Sequence, residues 1–88
     1  MNEFVRNIVI EDNFEKMHSI KPEVYYQIID KNSYKVKLVY GGKEAIIWEL
    51  MERGYPKSVT LEIDGIIKDF KFPYLAENEA VRIFKGGG

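Results

Sequence analysis

The order of apolar and polar positions divides the chain into stretches of different period. From Val24 to Tyr40 the two kinds of residue largely alternate, the period of a half-buried strand. Lys31-Asn32-Ser33 interrupts the run and serves as the loop of a hairpin. Val24, Tyr26 and Ile28 then share a face with Val36, Leu38 and Tyr40, and the other face takes Tyr25, Gln27, Ile29, Lys35, Lys37 and Val39. A two-residue loop would mix these sets, so the pattern selects the longer one. Gly41-Gly42 stops the alternation. Between Lys43 and Arg53 the residues Ile46, Ile47, Leu50 and Met51 occupy one arc of a helix, with Trp48 at its edge and Glu49, Glu52 and Arg53 on the other side. Glu44 in the first turn and Arg53 in the last suit the helix dipole, and Gly54 and Pro56 supply a stop signal. The spacing predicts one principal helix over 43–53, packed on the sheet by Ile46, Ile47, Leu50 and Met51.

A second hairpin is predicted around Asp64-Gly65, a dipeptide suited to a type I′ turn. Two-residue pairing sets Val59, Leu61 and Ile63 opposite Phe70, Lys68 and Ile66, and Thr60 and Glu62 opposite Asp69 and Ile67. Pro73 ends that strand. Leu75-Ala76-Glu77-Asn78-Glu79 reads as a turn, with Asn78 tolerant of positive φ. Ala80 to Phe84 reads as a last strand with Val81 and Ile83 as core positions. Ahead of these, Phe4 to Ile10 is rich in β-branched residues and predicts an extra strand, and Asp12 to Ile20 a loop or a single helical turn. The expected organisation is an N-terminal extension over 1–22, an α+β domain over 23–85 with a mixed, mainly antiparallel sheet, and a glycine tail over 86–88.

Composition bounds the function. The chain has 88 residues, 45% of them apolar, enough for one small core. With no cysteine, disulfides, thiolate metal sites and a cysteine nucleophile are excluded. His18 is the lone histidine and reads as a loop residue, so no histidine cluster can form. Thirteen basic and fourteen acidic side chains give a net charge of −1, which argues against nucleic-acid binding through bulk electrostatics. No apolar run reaches a membrane-spanning length and no leader pattern opens the chain, so a cytoplasmic protein is expected. No nucleophile with its base and no metal-ligand set is present, which reads against an enzyme and against a bound cofactor.

The glycines that follow Phe84 and Lys85 carry the most specific chemistry. Gly86, Gly87 and Gly88 lack Cβ atoms, so a backbone there can enter a narrow channel. Together with Val59-Thr60-Leu61-Glu62-Ile63-Asp64-Gly65, Leu75-Ala76-Glu77-Asn78-Glu79-Ala80-Val81 and Ile83-Phe84, the order of hairpin, helix, strand, turn and last strand resembles the ubiquitin-like β-grasp superfamily, in particular its sulfur-carrier branch. The resemblance implies that Gly87 and Gly88 form the activated end and that Lys85 and Gly86 lead into it. It implies an E1-like adenylating enzyme as a partner, which uses ATP, and an acceptor protein or sulfur-transfer enzyme as the next. Lys85 and a short spacer favour a protein-conjugated modifier over a sulfur carrier. The competing expectation is a small interaction or inhibitor protein, of the kind a mobile element carries, that binds through Tyr25, Ile29, Lys35, Lys37 and Val39 on the exposed hairpin face.

Overall fold

The computed structural model describes residues 3–86. One six-stranded antiparallel sheet runs in chain order, from β1 (Val5–Arg6) through β2 (Glu23–Ile28), β3 (Ser33–Tyr40), β4 (Lys43–Glu52) and β5 (Tyr55–Ile63) to β6 (Ile66–Phe70). Helix α1 (Ile8–His18) links β1 to β2, and α2 (Pro73–Phe84) follows β6. The class is α+β. No helix among the described residues is long and apolar enough to cross a membrane.

Both hairpin registers follow the alternation of the sequence. Val24 opposes Leu38 and Tyr26 opposes Val36, and Val59, Leu61 and Ile63 oppose Phe70, Lys68 and Ile66. Asp64 and Gly65 have φ values of 52° and 76°, the double positive φ of a type I′ turn.

The helix expected over 43–53 is instead β4, the strand between β3 and β5. Its sequence satisfies both periods, because Ala45, Ile47, Glu49 and Met51 alternate with Ile46, Trp48 and Leu50. Gly41-Gly42 and Arg53-Gly54 decide between them. Both pairs take positive φ, 58° and 81° for the first and 53° and 81° for the second. Each therefore acts as a tight hairpin turn, and the segment between them meets a hydrogen-bonding neighbour on either side. Ile46 and Leu50 consequently lie on the face opposite Ile47, and Leu50 is 40% exposed. Pro56 lies in β5 opposite Met51, beside a register shift between Leu50 and Met51.

The turn expected at 75–79 and the strand expected at 80–84 are both part of α2. Pro73 sits in the first turn of this helix, where its missing N–H costs nothing, and Ala76, Ala80 and Ile83 follow at helical spacing, all buried. Val81 and Ile83 are core residues as expected, but presented by a helix.

The N-terminal stretch is part of the same body. The strand expected over Phe4–Ile10 shortens to Val5–Arg6, because Asn7 caps α1 through a hydrogen bond from Ile10 N–H to Oδ1 at 3.1 Å. His18 ends α1 and is not in a loop. Glu11, 1% exposed, joins three elements: it takes Arg6 at 2.7 and 3.1 Å and the N–H of Val24 at 3.0 Å.

Phe14 of α1 and Ala76, Ala80, Val81 and Ile83 of α2 share one buried cluster with Val24, Val36, Leu38, Ala45, Ile47, Val59, Leu61 and Ile63. Both helices therefore cover the same face of the sheet. Among the described residues the other face carries no helix.

Candidate functional site

The uncovered face is laid out in cross-strand rows. One row spans all six strands: Arg6, Tyr25, Lys37, Ile46, Glu62 and Ile67. Beside it runs Gln27, Lys35, Trp48, Thr60 and Asp69. Neighbouring side chains in such a row have Cβ atoms about 5 Å apart and form a continuous surface. Antiparallel strands with one face against helices leave the alternate residues for this surface by geometry alone.

Two lysines organise it. Lys37 Nζ lies 4.6 Å from the ring centre of Phe4 and 5.0 Å from that of Tyr25, and 3.8 Å from Glu44 Oε1. Tyr25 is fixed by donating its hydroxyl to Glu23 Oε1 at 2.5 Å, and this bond to a carboxylate raises the phenol above its ordinary range. Lys35 Nζ stands 5.4 Å from the centre of the Trp48 ring. These cation–π contacts place both ammonium groups beside aromatic rings and leave them with donor capacity.

Trp48 stands beside a shallow groove of about 350 Å³ lined by Ile29, Ser33, Lys35, Leu50, Ser58 and Thr60, among others. Among the described residues, Trp48 Nε1 is the buried side-chain nitrogen or oxygen without a hydrogen-bond partner. Thr60 donates to Asp69 Oδ1 at 2.9 Å. The hydroxyls of Ser33, Ser58 and Thr60 meet no imidazole or thiol here. Among the described residues no group of three or more potential metal ligands occurs. The arrangement offers flat apolar area and two lysine ammonium groups on the open face, which is chemistry for holding a partner.

Of the residues expected on the hairpin face, Tyr25, Lys35, Lys37 and Val39 come together on the open surface. Ile29 lies past the end of β2, 40% exposed, its N–H bonded to Ser33 O at 3.0 Å, and lines the groove. Lys85 and Gly86 close α2: Lys85 N–H reaches Val81 O at 2.9 Å and Gly86 N–H reaches Ile83 O at 3.0 Å. Gly87 and Gly88 lie outside the described residues. Trp48 and Phe4 were not expected on this surface. Trp48 becomes legible once 43–52 is read as a strand, since alternation then places it beside Lys35; Phe4 gives no signal of its own. Comparison with protein-family models, with curated proteins and with solved structures returned no match for this chain.

Proposed function

We propose that the protein is a small non-catalytic binding module that holds an acidic protein segment on the open face of its sheet. The observation that carries this reading is the placement of both helices on one face, which leaves the rows through Lys37 and Lys35 uncovered. The partner's chemistry is read from Lys35 and Lys37, on a face that also carries Glu44, Glu62 and Asp69. Lys35 has an aromatic ring beside it, and Lys37 has two rings and one carboxylate at 3.8 Å, so a partner carboxylate adds a charge-assisted bond at low desolvation cost. An apolar or aromatic side chain two residues along an extended partner would fill the groove beside Trp48.

The test is a random peptide library selected on the wild-type protein and on a Lys35→Glu, Lys37→Glu variant. Acidic sequences with an aromatic or aliphatic residue are expected on the first and none on the second. Enrichment that survives the double substitution would overturn the reading, as would enrichment of single-stranded oligonucleotides over peptides in a parallel selection.

Activation of Gly88 by an E1-like adenylating enzyme, as a ubiquitin-like modifier or sulfur carrier of β-grasp type, is the second proposal. It rests on the glycines alone, because the helix after the first hairpin and the strand before the tail, which carried the resemblance, are β4 and α2. Intact mass after incubation with ATP and such an enzyme tests it: a covalent adduct lost on removal of residues 86–88 supports it, and no adduct overturns it.

A further inference from the structure

A cavity separate from the groove beside Trp48 opens on the helix-covered side of the sheet. Helix α2 packs over β4 and β5 and reaches β6 less, so a wedge of about 170 Å³ remains between the helix and the β5–β6 hairpin. Leu61 and Ile63 of β5 form its floor and Ile83 of α2 one wall, all three buried. Ile66 lines it from the hairpin side. Ile66 opposes Ile63 and so shares the covered face, yet it is 50% exposed. A large aliphatic side chain on the core face of a sheet is ordinarily covered. Here its open surface belongs to the wedge.

The rim of the wedge is charged. Glu79, one helical turn before Ile83, accepts from Lys68 Nζ at 2.9 Å and from Arg82 Nε and Nη2 at 2.9 and 2.7 Å. Asp64, also on the rim, is held by Lys43 Nζ at 3.0 Å. Three cations thus meet two carboxylates, and one positive charge is left in excess. Both Glu79 oxygens already accept, whereas the Lys68 ammonium has further N–H groups beyond the one it gives Glu79. A carboxylate arriving at the mouth gains a charge-assisted bond from Lys68 and brings the rim to neutrality. An ammonium there would add to the excess and be repelled.

Size and lining set the rest of the ligand. An apolar cavity of about 150 Å³ takes one benzene ring, so this wedge has room for one ring or a short branched chain. We propose that the wedge between α2 and the β5–β6 hairpin binds a small monocarboxylate with a single-ring or branched aliphatic body. The body rests on Leu61, Ile63, Ile66 and Ile83, and the carboxylate meets Lys68. The site is independent of binding at the open face, because the sheet itself lies between the two.

Benzoate and isovalerate are the probes, titrated into the full chain with isotope-labelled leucine and isoleucine methyls, and benzamide is the neutral control. Saturable NMR shifts of the Leu61, Ile63, Ile66 and Ile83 methyls are expected with both carboxylates below about 10 mM. Benzoate should bind about tenfold more tightly than benzamide. Ile66→Phe, half-exposed on the last strand of the sheet, fills the wedge and should remove the shifts. Lys68→Met keeps an apolar stem and should weaken both carboxylates about tenfold while leaving benzamide unchanged. Absence of saturable shifts at these methyls in wild-type protein would overturn the proposal. So would equal affinity for benzoate and benzamide, undiminished binding by Ile66→Phe, or wild-type affinity in Lys68→Met, which decides alone should the Ile66 variant fail to fold.

Discussion

At the scale of single residues, backbone strain at Arg53 and a buried charge at Glu11 each fix the sign of a substitution. Arg53 takes a φ of 53° in the β4–β5 turn, a left-handed conformation that disfavours a side chain with an ordinary Cβ. Arg53→Asn, better tolerated there, is expected to raise stability by about 0.5 to 1 kcal/mol in chemical denaturation. The Arg6–Glu11 pair is lopsided, with side chains 49% and 2% exposed. Arg6→Ala strands a buried carboxylate that keeps the Val24 N–H alone, and should be the costlier of the two changes in chemical denaturation. Glu11→Gln keeps an acceptor for that N–H and leaves a half-exposed arginine, so about 1 to 2 kcal/mol is expected. Equal losses would mean that Glu11 is not the buried member.

At the scale of elements, β4 and α2 separate helix from strand most sharply. Ile47 is 1% exposed and Leu50 is 40% exposed, whereas a helix over 43–53 would bury both. Ile47→Ala should therefore cost about 2 to 5 kcal/mol, and Leu50→Ala under about 1 kcal/mol, as read from denaturation midpoints. For α2 the decisive residues are Ala76 and Ala80, both fully buried. Both belong to the cluster shared by helix and sheet, where close packing disfavours a larger side chain. Ala80→Leu should overpack that contact and cost about 1 to 3 kcal/mol.

At the scale of the whole molecule, the charges set a pH window and the layers set a surface. Glu11 is held below its ordinary range chiefly by the bond from Arg6, and Glu79 down to about 2 by Arg82 and Lys68. Their stabilisation is complete above the ordinary carboxylate range and is lost as pH falls through their folded values. Burial first, and the charge of Glu49 second, push the half-buried Glu77 carboxyl up to about 7, so its stabilisation is lost as pH rises towards that value. Stability against denaturant should therefore peak at about pH 5 and decline on both sides. Replacing Lys35 and Lys37 with Glu should leave the melting temperature within a few degrees of wild type, because both lie on the uncovered face. Both hairpin registers were determined by the sequence itself: an alternating face and a short turn are local, and one residue of slip would carry Val24, Leu38 and Leu61 out of the core. The open face was half legible for the same reason, through Tyr25, Lys35, Lys37 and Val39. Trp48 and the burial of Ala76 and Ala80 were not, since each depends on whether Lys43–Glu52 and Pro73–Phe84 are strand or helix. Their apolar residues satisfy either period. The tertiary structure decided: β3 and β5 offer Lys43–Glu52 hydrogen-bonding edges on both sides, and the broad apolar face of the sheet gives α2 a surface on which small alanines can sit.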